Sequence, residues 1–250
     1  RHAVTGVVHQ RIDEQVVGLD FLEEGGGHGR IGKIGRDDRA RNPRAQFVGE
    51  RGQALFAASG EDQRLATACV FAGDRRTEGR LRNVIGILEY QRQSYAAALE
   101  EYEAALDAFS ACEDAEGVGL ALNSIGATLR SMGRRSEARD ALARALAYNE
   151  RTPRADLLGH TLGMLGAVEM DAGAPDRATP FFERSLAIRV ESGDTRGEGW
   201  MRYELSRAAA ASAMRDRARE MLESGVRAAQ DCGDAELGEA CERLRRTAGL

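Results

Sequence analysis

Residues 25–35, with the sequence GGGHGRIGKIG, come nearest in this chain to a phosphate-binding loop. The dinucleotide-binding pattern G-x-G-x-x-G begins at Gly27, and most of a P-loop pattern runs from the same glycine to Lys33. A P-loop then needs Ser or Thr, whose hydroxyl binds Mg²⁺, but Ile34 follows the lysine here. The spacing alone suggests a nucleotide site, and the flanking sequence has to support it.

The sequence on either side does not provide the strand and helix that such a loop requires. A phosphate loop ends at a helix N-terminus, where backbone N–H groups point at the phosphate. Glu23 and Glu24 directly precede the loop and would repel phosphate, and the segment that follows shows no helical period before Pro43. We therefore expect a flexible basic stretch here and no nucleotide, metal or other cofactor.

Composition excludes several classes of protein. The 250 residues carry a net charge of −5, which argues against direct nucleic-acid binding. No apolar run approaches the roughly 20 residues of a membrane span, and the four cysteines form no C-x-x-C pair. The motifs G-x-S-x-G and H-E-x-x-H are also missing. We expect a cytoplasmic, bacterial protein that is not an enzyme, with its cysteines buried as small apolar side chains.

An internal repeat of 40 residues dominates the rest of the chain. Small and apolar residues recur in register, in three columns: Gly79, Gly119, Gly159 and Gly199; Gly86, Gly126, Gly166 and Ser206; and Ala98, Ala138, Ala178 and Ala218. Each unit holds two helical patterns separated by a turn, and one such pair cannot bury its own apolar stripe. Stacked pairs would bury a continuous core, with Gly126 and Ala138 letting two helix backbones approach closely.

These columns predict an all-α fold of antiparallel helix pairs with a distinct N-terminal region. The segments are an irregular stretch at 1–53, a worn half-repeat or capping helix at 54–78, units at 79–118, 119–158, 159–198 and 199–238, and a capping helix at 239–250. Asp114, Asp194 and Asp234 stand near the unit junctions, where a helix N-terminus favours negative charge, while Arg154 is the exception.

The repeat resembles the tetratricopeptide repeat family, in which a small residue of the first helix faces Ala, a large residue and a second small residue of the second helix. Gly126, Ala138, Leu142 and Ala145 follow that order, as do the equivalent residues of the first unit. The unit of 40 residues, longer than the usual 34, is similar to the long-unit variety of the family. The resemblance implies a right-handed α-solenoid whose first helices line a concave, ligand-binding face.

Carried onto this sequence, the resemblance implies a set of inward side chains on the first helices. The candidate contacts are Arg80, Asn83, Tyr90, Asn123, Arg130, His160, Trp200, Tyr203 and Arg207. Asn can donate to and accept from a peptide backbone, and Arg can bind a carboxylate with two hydrogen bonds. Aromatic side chains often anchor an interface, although Trp200 could instead seal the last helix pair. The four basic groups, with His160 counted as potentially cationic, favour an acidic or C-terminal peptide.

The sequence therefore predicts a scaffold that binds a protein or peptide. A second interpretation is the sensor part of a larger bacterial signalling or transcription-regulatory protein, and a third, through residues 25–35, is a nucleotide-binding enzyme. Whether the edges of the solenoid pair into a homodimer stays open.

Overall fold

The computed structural model describes residues 73–250, which form nine helices and no strand. The helices are α1 Arg75–Gln91, α2 Tyr95–Ala111, α3 Ala115–Ser131, α4 Arg135–Asn149, α5 Ala155–Asp171, α6 Pro175–Ser192, α7 Thr195–Ala211, α8 Arg215–Cys232 and α9 Ala235–Ala248. The glycine-rich stretch at 25–35, the segment 1–53 and most of the predicted half-repeat at 54–78 lie outside the described residues.

The helices form four antiparallel pairs, α1–α2, α3–α4, α5–α6 and α7–α8, followed by the single helix α9. Helices α1, α3, α5, α7 and α9 are called first helices below, and they begin 40 residues apart. The predicted all-α repeat fold is confirmed. Each first helix begins four residues before the glycine that marks the predicted unit boundary, so the last helix begins at Ala235 rather than at residue 239.

Aspartate caps four of the five first helices, as the charge at the unit junctions indicated. The carboxylates of Asp74, Asp114, Asp194 and Asp234 each accept a hydrogen bond from a backbone N–H of the first turn. Such a cap typically stabilises a helix by about 1 kcal/mol, because the first N–H groups have no partner within the helix.

Arg154 stands where the other repeats have the capping aspartate, and it forms the same ion pair between neighbouring repeats with the two charges swapped. Arg76 on α1 pairs with the cap Asp114, and Arg196 on α7 pairs in the same way with Asp234. At Arg154 both signs are reversed, because Glu116 of α3 lies 3.8 Å from the Arg154 guanidinium. The contact between repeats is kept with its charges exchanged, although α5 has no side-chain cap.

The same junction has a different turn. Gly73, Glu113, Gly193 and Gly233 precede the four capping aspartates and adopt positive φ angles. Pro153 stands in the equivalent place, and its ring holds φ near −65°, so that turn cannot form. Helix α4 accordingly ends at Asn149 with 15 residues, whereas α6 and α8 have 18.

Glycine of the first helices makes room for large side chains of the second helices. A Cβ added to Gly126 would lie 2.5 Å from Leu142, and one added to Gly166 would lie 2.4 Å from Phe182. The sequence predicts a close helix contact at Gly126, and the atoms nearest to that position belong to the Leu142 side chain. The backbones do come close in the fourth repeat, where the Ser206 hydroxyl donates to the Ala218 carbonyl at 2.7 Å.

Gly166→Ala is expected to lower the free energy of unfolding by about 1–3 kcal/mol. Phe182 is fully buried and cannot move aside, so the added methyl group overpacks the core. The matched control is Gly238→Ala, where nothing lies within 4 Å of the added Cβ. This helix-interior change should stabilise the chain by roughly 0.5–1 kcal/mol. Urea denaturation followed by far-ultraviolet circular dichroism measures both, and a stable Gly166 variant would contradict the packing described.

Candidate functional site

All nine predicted contact residues lie on first helices. Arg80, Asn83 and Tyr90 are on α1, Asn123 and Arg130 on α3, His160 on α5, and Trp200, Tyr203 and Arg207 on α7. Arg80 is exposed, while Arg130 and Arg207 are partly covered. The other six are buried, so most of the set packs between neighbouring first helices.

Asn83 and Asn123 occupy equivalent positions and link successive first helices. The Asn83 Oδ1 accepts from the Ser124 hydroxyl on α3 at 3.4 Å, and the Asn123 Oδ1 accepts from the Thr161 hydroxyl on α5 at 2.9 Å. Their residues are 0% and 1% exposed, so they are not the open surface side chains that the sequence suggested. The Nδ2 of each has no hydrogen-bond partner within residues 73–250. Each hydroxyl has one proton, which it shares with a carbonyl of its own helix, that of Leu120 or Leu157. Each asparagine therefore has a shared contact at Oδ1 and no partner at Nδ2.

Two arginines of the predicted set already bind carboxylates. Arg130 Nε donates to Asp171 on α5 at 2.6 Å, and Arg207 Nη1 donates to Glu204 at 2.6 Å. The guanidinium of Arg207 also lies 5.9 Å from the centre of the Tyr203 ring. The nearby Glu204 carboxylate raises the pKa of Arg207. Positive charge is present at both sites, but the protein's own acids compensate much of it.

The aromatic residues serve the packing between repeats. Trp200 Nε1 donates to Asp234 at the start of α9 at 3.2 Å, and its ring meets Tyr203 edge to face. Burial raises the pKa of Tyr203 to about 12, so its hydroxyl keeps its proton. Tyr90 lies 2.8 Å from the Ser131 hydroxyl of α3. The alternative that Trp200 seals the last pair agrees with its bond to Asp234.

His160 does not add positive charge to this layer. It is 4% exposed, and burial, with the Arg189 guanidinium as a second cause, lowers its pKa to about 4. Asp156 on the same helix acts in the opposite direction, with a smaller effect. The imidazole is neutral at pH 7, so the expectation of four cationic groups is wrong for this one.

The residues that hold the predicted ones in place were missed from the sequence. Ser124, Ser131 and Asp171 each follow their partner, Asn83, Tyr90 or Arg130, by 41 residues. That separation is one repeat plus one residue. Each partner therefore lies on the next first helix, one position after the equivalent residue. A search for polar pairs at this separation, and not only at 40, would have found them.

Residues 73–250 contain no group of three or more His, Cys, Asp or Glu side chains that could hold a metal ion. None of the helices from α1 to α9 has the length and apolar character needed to cross a membrane.

Comparison with known families identifies the repeat. The tetratricopeptide repeat model matches residues 78–151, which cover most of α1 and all of α2, α3 and α4. This segment belongs to the tetratricopeptide repeat family. Among curated proteins, no sequence gives a significant match. The tetratricopeptide repeat is generally a non-catalytic scaffold.

Solved tetratricopeptide-like structures share the fold at low sequence identity. Aspartyl phosphate phosphatase F from Bacillus subtilis has a TM-score of 0.69 at 16% identity, over 75% of this chain and 49% of that one. The Rap protein complexed with competence and sporulation factor has a TM-score of 0.62 at 14% identity, over 78% of this chain and 60% of that one. BtubC from P. vanneervenii has a TM-score of 0.60 at 16% identity, over 92% and 93%. This chain thus spans only half to three fifths of the first two structures.

Proposed function

We propose that this tetratricopeptide-repeat scaffold binds an extended peptide segment of a partner protein along its layer of first helices. The observation that carries the proposal is the pair of unsatisfied amide groups at Asn83 and Asn123. They stand one repeat apart, each with Oδ1 bonded to the next first helix and Nδ2 without a partner. Two donors at a fixed interval suit the regularly spaced carbonyl groups of a peptide backbone.

Leaving these amide groups unpaired in the interior has an energetic cost. A buried polar group without a hydrogen bond costs about 1–3 kcal/mol, so it is normally satisfied. A bound peptide that offers a carbonyl oxygen to each amide would recover that cost. Both amides are buried in the free chain, so this proposal requires the layer of first helices to open around them when the peptide binds.

Charge in the same layer favours an acidic or C-terminal segment. Arg80, Arg130 and Arg207 lie on three of the first helices, although the whole chain has a net charge of −5. A ligand carboxylate would exchange with Asp171 at Arg130, or with Glu204 at Arg207, and take over a charge-assisted hydrogen bond. The attraction is local, so binding should weaken as salt screens it.

The test is selection from a random peptide library displayed on phage, using the 250-residue chain as bait. Peptides that bind should lose at least about tenfold in affinity when Asn83 and Asn123 are both changed to Leu, since one missing hydrogen bond is worth about 1 kcal/mol. Asn149→Leu is the matched control, because Asn149 is equally buried and bonds to the same Thr161 from a second helix.

The control should keep full affinity, and thermal melts establish that both variants are folded. Two results would contradict the proposal: a library that yields no enriched peptide, or peptides whose affinity is the same for the wild type and the double variant. Enriched peptides without Asp, Glu or a free carboxyl end would support peptide binding but contradict the preference for an acidic or C-terminal ligand.

A second candidate is the sensor part of a larger regulatory protein. It is favoured by the two solved structures with the higher TM-scores, which are aligned over 75–78% of this chain but only 49–60% of their own length. Sequencing the gene around this region is the direct test. A DNA-binding or nucleotidyl domain in the same reading frame would support the sensor, and a reading frame limited to the repeats would oppose it.

A further inference from the structure

Helix α9 presents a face that no other helix of residues 73–250 covers. It packs against α8 and α7, where Leu237, Ala240 and Cys241 are buried. Its opposite side forms an open hollow lined by Ala235, Gly238, Glu239, Glu242, Arg243 and Arg246. In each earlier repeat, the corresponding side of the first helix holds the second helix of the pair.

A second helix of the usual kind does not fit this face. The earlier first helices carry glycine at 79, 119, 159 and 199, and glycine or serine at 86, 126, 166 and 206. Several of these positions lie at short range from a side chain of the second helix, as Gly79 does from Phe109 and Gly166 from Phe182. Helix α9 has Glu239 and Arg246 at the equivalent positions. Two charged side chains stand where the repeat requires almost no side chain.

The charges on this face are arranged so that the face complements itself. Glu239, Glu242, Arg243 and Arg246 follow one another at helical spacing on one side of α9, with the acids first and the bases second. If a second α9 is laid antiparallel across the first, with a two-fold axis between residues 242 and 243, Glu239 meets Arg246 and Glu242 meets Arg243. A two-fold interface requires such a self-complementary patch.

We propose that the open face of α9 binds the same face of a second copy of this chain, as an antiparallel, two-fold symmetric dimer held by four ion pairs. Gly238 and the small Ala235 lie beside the charged row, and nothing occupies the space above Gly238, so the two helix backbones can approach closely. The dimer does not depend on the peptide-binding function, because α9 carries none of the residues proposed for it.

The charged groups are available in the single chain. Glu239 and Arg246 are in none of the salt bridges within residues 73–250. Arg243 lies close enough to Tyr203 of α7 to act on the pKa of that hydroxyl. Glu242 pairs with Arg245 of the same helix. Such an exposed pair on one helix is weak, so Glu242 can turn to the partner's Arg243 at little cost. The dimer should therefore be sensitive to salt, since exposed charges are screened beyond about 10 Å at 0.1 M ionic strength.

Charge reversal in two complementary variants tests the proposal. The Glu239→Arg/Glu242→Arg variant has four basic side chains on this face, and the Arg243→Glu/Arg246→Glu variant has four acidic ones. Sedimentation equilibrium of the 250-residue wild type at low salt should show a dimer that weakens at about 0.5 M salt. Each variant alone should dimerise at least about tenfold more weakly, and a one-to-one mixture should recover a heterodimer.

The matched control is Glu220→Arg/Glu223→Arg on α8. Both glutamates are exposed and have the same spacing as Glu239 and Glu242, and the two substitutions change the net charge by the same amount. This control should dimerise like the wild type. A monomeric wild type at low salt would overturn the proposal. Helix α9 would then be a capping helix whose charged face is simply exposed to solvent. Dimers that survive in both α9 variants, or variants that fail to pair when mixed, would also overturn it.

Discussion

Truncation of Phe109 to alanine is expected to lower the free energy of unfolding by about 3–5 kcal/mol. Phe109 is 1% exposed and lies between two first helices. A Cβ added to Gly79 on α1 would lie 2.7 Å from its ring, and one added to Gly117 on α3 would lie 2.3 Å from it. The ring fills the space that these two glycines leave, and neither glycine has a side chain to fill the resulting cavity.

The loss of stability should also be confined to the repeats that contact Phe109. Stability in a repeat protein is approximately a sum over repeats and the contacts between neighbours, so the damage should be local. Hydrogen exchange should rise in α1, α2 and α3, while α7, α8 and α9 keep most of their protection. Tyr148→Ala is the control, because this aromatic residue of α4 is 37% exposed and its loss should cost less than about 0.5 kcal/mol. Equal losses for the two variants would contradict the packing.

Acid should destabilise the chain through His160 before its carboxylates are protonated. The pKa of His160 is about 4 in the folded chain and near 6.5 in an unfolded one, so the unfolded state binds the proton first. Stability from this group is complete above about pH 6.5 and falls as the pH drops toward 4. The expected loss at pH 4.5 is roughly 2–3 kcal/mol relative to pH 7.

The measurement compares urea denaturation of the wild type and of His160→Gln at both pH values. The variant has no group that titrates in this range at position 160, so its stability should fall less than that of the wild type. The titration itself can be followed by NMR of the imidazole ring protons of His160, since the other three histidines precede residue 30 and lie outside this helix. An apparent pKa of 6 or higher for His160 would contradict its burial, and with it the correction to the charge of the first-helix layer.

Much of the fold could be predicted because its information is periodic. The turn that joins the two helices of a pair depends on residues a few positions apart, and a 40-residue recurrence repeats that local signal four times. The types and positions of Asp114 and Gly126 were therefore enough to indicate a cap and a close helix contact. What a glycine makes room for was harder to predict, because the side chain over Gly126 comes from Leu142 on another helix.

The candidate site was predicted only as a set of positions. Its residues do lie on the first helices, but the state of each depends on neighbours one repeat away. Asn83 and Asn123 are held by Ser124 and Thr161, and Arg130 by Asp171, at separations of 38 or 41 residues. A single helix pattern shows which face a side chain occupies, and it does not show which group on the next helix reaches it.

By itself the sequence determined the repeat, its period and the helix pairs, because these follow from local propensity and the spacing of small and apolar residues. Only the tertiary structure decided which polar groups are buried, which charges are compensated and which amides stay unsatisfied. It also decided that the side of α9 lined by Glu239, Glu242, Arg243 and Arg246 stays open within residues 73–250. Those properties depend on distance and on the exclusion of water, which arise only when the repeats are stacked.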